Sequence, residues 1–135
     1  MDNPFVVTSV RSMRPYARRV VECLRKEREF ADSQYDIDYT EALDAKTFAD
    51  GEMEVELGKS VRGRNVVLFC NSSRNDAGIS LSECKQELYH AIDVLQRSQA
   101  KKIIVFEPYV SCSRSDRTTR RNSVGFWVHY KTLLS

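Results

Sequence analysis

Three features of the sequence predict an α/β domain, a parallel-core sheet flanked by helices with one β-hairpin beside it. Short apolar, β-branched runs at 5–10, 66–70 and 103–106 read as strands. Between them apolar residues recur at helical spacing in two segments, and a third segment after the last strand reads as a helix without a clean period. Alternation of strand and helix is the pattern that builds a parallel sheet with helices against it. The third feature is local: Asp50-Gly51 separates two strand-like runs, and glycine accepts the positive φ of a tight hairpin.

Taken in order, the run at 5–10 is the first strand. Ser12 offers a helix cap, Pro15 is tolerated in a first turn, and Met13, Ala17, Val20 and Leu24 predict a helix over 13–29. Residues 31–40 are polar and acidic without a clear period, and read as a loop or a loose extension. Residues 42–48 and 53–57 form the hairpin. In its second arm Met53, Val55 and Leu57 alternate with Glu54 and Glu56, as in a half-buried strand. Asp50 and Glu52 thus have a complete explanation as turn residues. Residues 66–70 are continuously apolar, which predicts burial on both faces. A turn-rich loop over 71–80 leads to a helix starting near Ser80 or Ser82. Ser80 followed by Glu83 makes a capping box, and Leu81, Cys84, Leu88, Ala91, Ile92 and Leu95 make its apolar stripe. His90 sits at the border of that stripe and reads as a partly buried structural histidine. The run at 103–106 is predicted to be a buried strand, stopped by Pro108, which has no N–H to donate. Residues 124–134, with Ser123 as a cap, form the last helix.

Composition narrows the function. A chain of 135 residues is long enough for one domain with a core. A net charge of +2 argues against a general nucleic-acid binder. No apolar run reaches membrane-spanning length. The N-terminus lacks the basic and apolar regions of a signal peptide. The four cysteines are scattered with no C-x-x-C pair, which predicts reduced thiols in a cytoplasmic protein. Two histidines exclude a His-rich metal site.

The segment after the last strand concentrates charge. Arg114, Arg117, Arg120 and Arg121 stand against a single acid, Asp116. A guanidinium pairs two donors with phosphate oxygens. Ligands of α/β sheets collect at the carboxyl ends of the strands. A local cluster in a nearly neutral chain suits a small polyanion, while a solvated basic loop accounts for the same residues without a ligand.

These motifs together resemble the N-terminal domain of the ribose-phosphate pyrophosphokinase (PRPP synthetase) family, with its phosphoribosyltransferase-like fold. Phe48-Ala49-Asp50-Gly51-Glu52 is similar to the family's Phe-Ser-Asp-Gly-Glu. Ser60-Val61-Arg62-Gly63 matches its Ser-Val-Arg-Gly. Glu87-Leu88, and the stretch from Ile92-Asp93 to Ala100-Lys101, follow a family helix. Pro108-Tyr109 and Ser113-Arg114-Ser115-Asp116-Arg117 are similar to Pro-Tyr and Ala-Arg-Gln-Asp-Arg.

The family transfers pyrophosphate from ATP to ribose 5-phosphate with magnesium, giving PRPP and AMP for nucleotide biosynthesis. The resemblance implies that Phe48 stacks on adenine and that Asp50 and Glu52 accept hydrogen bonds at the base, in the site of a neighbouring subunit. It implies phosphate contacts from Arg114, with Ser115, Asp116, Arg117 and Thr118 lining the same loop. Ser60 and Arg62 correspond to a regulatory phosphate site, although a turn before a strand also explains them. The implied partners are ATP, ribose 5-phosphate and further copies of the chain, without nucleic acid or membrane. The resemblance places no catalytic residue or metal ligand in residues 1–135. The chain is therefore expected to be a single N-terminal domain of a longer two-domain enzyme, inactive alone. Ser115 stands where the family has Gln, Cys112 replaces Tyr and Ser123 replaces Pro. These departures keep open an alternative, a non-catalytic PRPP-synthetase-associated regulatory protein.

Overall fold

Valine-rich strands with no turn residues inside them pair in parallel, and their crossovers carry the helices. The computed structural model describes residues 5–27, 35–71, 77–108, 121, 123 and 125–135. Its elements are β1 (Phe5–Ser9), α1 (Arg14–Lys26), β2 (Tyr35–Asp36), β3 (Leu43–Thr47), β4 (Met53–Leu57), β5 (Asn65–Phe69), α2 (Leu81–Arg97), β6 (Lys102–Phe106) and α3 (Gly125–Leu134). A parallel four-stranded sheet has the order β2-β1-β5-β6, and β3 and β4 form a separate antiparallel hairpin. The register sets Val6 beside Val66 and Val66 beside Ile103.

The helices lie on opposite faces. Tyr16 of α1 meets Phe69 edge-on at 5.5 Å, and Phe69 in turn meets Phe106 at 5.1 Å. Ile103 and Val105 point the other way by the period of the strand and line a groove with Ile92 of α2 and Leu133 of α3. Val6, Val66 and Leu68 from the sheet and Leu88, Ala91 and Leu95 from α2 are fully buried and make the centre of the core. The hairpin packs on α2, with Val55 turned into this core.

Several expectations change. Residues 31–40 hold more than a loop: Tyr35–Asp36 pairs parallel with β1, and Ile37–Glu41 is a 3-10 turn. A two-residue strand is too short to show a period. Ser12 is absorbed into a 3-10 turn over Arg11–Met13, so α1 begins at Arg14 without a side-chain cap, with Pro15 in its first turn. Ser80 does cap α2, accepting the Glu83 N–H at 3.2 Å. The strand at 103–106 is half-buried on one face and open on the other. Ile104 and Phe106 are 40% and 45% exposed, as β6 stands at the edge of the sheet.

Candidate functional site

The hairpin tip is a self-contained turn. Phe48 N–H donates to Glu52 O at 2.8 Å, and Gly51 N–H donates to Phe48 O at 2.9 Å. Gly51 has φ +92°, a conformation that a side chain would strain. Asp50 closes the turn a second time, its Oδ1 accepting the Glu52 N–H at 3.0 Å. Backbone groups and one carboxylate oxygen therefore hold the tip without a hydrogen bond from the Phe48 side chain, and Phe48 is 49% exposed. A large aromatic left in water on a rigid turn is available to stack on a planar ligand.

Glu52 opens onto a cleft of about 650 Å3 between the tip and the first turns of α2. Thr47, Gly51 and Met53 line its hairpin side, and Ser82, Glu83, Gln86 and His90 its helix side. His90, read as structural from the sequence, is half-buried and part of this wall. Ser82, Glu83 and Gln86 were not singled out as site residues, because their place opposite the tip depends on how the hairpin docks.

Ser60 and Arg62 lie beyond the other end of β4, away from the tip, on the amino edge of the sheet. Arg62 forms an antiparallel bridge with Ala100. Gly63, at φ +71°, donates to Gln99 O at 2.9 Å, and Lys101 donates to Arg64 O at 2.8 Å. Two short segments are thus laced side by side, and they bring together Lys59, Arg62, Arg64, Lys101 and Lys102. Tyr39 organises them further: its hydroxyl donates to Ser60 O at 2.7 Å, while Lys59 and Arg64 lie over its ring at 5.4 and 4.8 Å. Neither 58–65 nor 98–103 contains an acid. The basic residues of the two segments give this edge a positive bias, although Lys59 also lines a groove with Asp38 and Glu41. The sequence carried half of this signal in its Lys-Lys and Arg-Gly-Arg doublets; their juxtaposition comes from the parallel pairing of β5 with β6.

Arg114, Ser115, Asp116, Arg117 and Thr118, with Cys112, lie outside the described residues. Glu107, which precedes that segment by chain order, is described and lies at the end of β6. Among the described residues no group of three or more His, Cys, Asp or Glu is placed to hold a metal ion. No helix of the described residues is long and apolar enough to cross a membrane. Cys23, Cys70 and Cys84 carry thiols that are not paired in a disulfide. The Cys70 thiol is pushed up to about 12, first by burial and then by the carboxylate of Glu107.

Comparison with known proteins agrees with this architecture. A family model for the N-terminal domain of ribose phosphate pyrophosphokinase matches residues 5–133. The ribose-phosphate pyrophosphokinase of Mycoplasma genitalium is 36% identical over 73 residues, 54% of this chain and 20% of that protein. That of Bacillus caldolyticus is 33% identical over 78 residues, 57% of this chain and 23% of that protein. A crystal structure of phosphoribosylpyrophosphate synthetase from Mycobacterium smegmatis superposes with a TM-score of 0.75 at 22% identity, covering 96% of this chain and 38% of that one. That likeness is one of fold. The matches span about a fifth of the curated relatives' length (20% and 23% in these two).

Proposed function

The chain belongs to the family of N-terminal domains of ribose phosphate pyrophosphokinases, and on that premise we propose that it supplies nucleotide contacts and subunit contacts to such an enzyme. The whole enzyme would pass a pyrophosphoryl group from ATP to the anomeric oxygen of ribose 5-phosphate, giving PRPP and AMP. Reactions of this kind rest on positioning and on neutralising phosphate charge. In this reading Phe48 stacks on the base, and Glu52 with the second oxygen of Asp50 accepts hydrogen bonds at its edge. Arg114 and Arg117 meet the phosphates, and Ser115, Asp116 and Thr118 complete that segment. Ser60 and Arg62, with Lys59 and Lys101 beside them, take a regulatory phosphate. Magnesium is assigned to the triphosphate as its counter-ion.

One observation carries the reading: the tip closes on itself through backbone hydrogen bonds, and Phe48 is left 49% exposed beside it. An exposed ring on a fixed turn, separate from the arginine segment in sequence, suits a site completed by a second copy of the chain. Calorimetric titration with ADP and with magnesium–ATP tests it. Weak binding is expected to strengthen as protein concentration rises, to disappear in Arg114→Ala and to fall about tenfold in Phe48→Ala, the low end of base–aromatic stacking. Binding that is unchanged in both variants, or absent at every concentration, would overturn the half-site reading for this chain.

A further inference from the structure

His129 is a buried histidine at the meeting point of three elements. It lies on α3, is 1% exposed, and is contacted from α2 and from the end of β6. The Tyr89 hydroxyl of α2 is 2.7 Å from Nδ1. Glu107 Oε2 is 3.7 Å from Nε2, beyond hydrogen-bond range, and the same oxygen accepts the Tyr130 hydroxyl at 3.1 Å. The Tyr130 ring packs edge-on against the imidazole at 4.7 Å. Lys85 adds a positive charge from α2. Cys70, at the end of β5, stays a neutral thiol. A carboxylate opposite Nε2 favours the hydrogen there, which leaves Nδ1 as the acceptor for the Tyr89 O–H.

We propose that His129, Tyr89, Glu107 and Tyr130 form a proton-operated latch, which fastens α3 across α2 and the end of β6 and loosens when the imidazole is charged. In the neutral ring the latch has one polarity: Tyr89 donates to Nδ1, and Nε2–H points at Glu107. A second proton occupies Nδ1 and removes the acceptor that Tyr89 uses. The charge then sits where water does not reach, with Lys85 repelling it. Glu107 attracts it, but from 3.7 Å and through an oxygen already bonded to Tyr130. Burial is the largest of these influences and holds the His129 pKa below its ordinary value, so the neutral ring is the one the fold accommodates. Glu107 precedes the arginine segment and α3 follows it, so the latch joins the two flanks of that segment. The inference does not depend on the nucleotide reading.

The protein carries a built-in reporter: its single tryptophan, Trp127, is two residues before His129 and 63% exposed on α3. The test titrates the 135-residue chain from roughly pH 8 to 5 around the histidine range, following Trp127 fluorescence and hydrogen exchange of the α3 amides. In the parent chain α3 is expected to loosen with a midpoint below the free histidine value of about 6.5. His129→Gln is expected to abolish that transition. Tyr89→Phe, which deprives only the neutral ring of a donor, moves the midpoint upward and serves if the glutamine variant does not fold. An unaltered transition in His129→Gln, an unmoved midpoint in Tyr89→Phe, or α3 exchange independent of pH in the parent chain would overturn the latch.

Discussion

Glu87 and Glu107 are both carboxylates drawn below the surface, and they are held in opposite ways. Glu87, 3% exposed, receives the Arg11 backbone N–H at 2.7 Å on one oxygen and Arg11 Nε at 2.6 Å on the other. Its partner is a guanidinium, a permanent charge with fixed donor geometry, and the contact ties α2 to the turn after β1. Glu107 receives Tyr130 on one oxygen and faces His129 from a distance. One carboxylate has a constant partner, and the other has a partner whose charge depends on solution. A buried carboxylate opposite arginine acts as a clamp, whereas opposite a desolvated histidine it makes a contact whose strength varies with pH.

The difference can be broken from either side. Arg11→Ala has the largest expected effect, about 3 kcal/mol of lost stability in urea denaturation, because it takes the guanidinium from a buried carboxylate and leaves it the backbone N–H. A loss under about 1 kcal/mol would place the two glutamates in one class. Tyr130→Phe is expected to cost about 1 kcal/mol by the same measurement, the ordinary worth of one hydrogen bond. A smaller difference separates the two contacts by pH. With the folded pKa of His129 lowered, the unfolded chain takes up this proton first. The stability contributed by the neutral ring is therefore complete above about pH 6.5 and is lost as pH falls below it toward the folded value. Thermal melts across that window should show a decline that His129→Gln flattens and Arg11→Ala leaves in place. The smallest effect belongs to the exposed pair of Asp93 and Arg97, 2.8 Å apart along α2. Asp93→Ala should change stability by only about 0.3 kcal/mol, which sets the scale for a carboxylate that was never desolvated.

The two glutamates were unequally legible. Glu87 belongs to a motif that the sequence displays, although its partner Arg11 lies 76 residues away. Glu107 reads as the acid before Pro108, and nothing local links it to His129. Strands with a run of apolar residues were read correctly as strands. The open face of β6 was missed because Ile103, Ile104, Val105 and Phe106 are all apolar, so the residues give no sign of which pair faces outward. That information lies in the strand order, which puts β6 at the edge. The hairpin turn was the most readable feature, since Asp50 and Gly51 make it within five residues. The basic amino edge was half readable, as Arg62 stands in one segment and Lys101 in another. The cleft beside Glu52 was not readable at all, because its far wall belongs to α2 and is set by packing.

The tip separates the residues that make the turn from those that face outward. Gly51 and one oxygen of Asp50 are committed to the bend, while the Phe48 ring and the Glu52 carboxylate face outward. Selection can therefore change the side chains at those two positions without first solving a folding problem. A library randomised at Phe48 and Glu52 should return mostly folded proteins, and one randomised at Gly51 should return fewer. The outward surface of this end of the molecule can evolve faster than the turn that carries it.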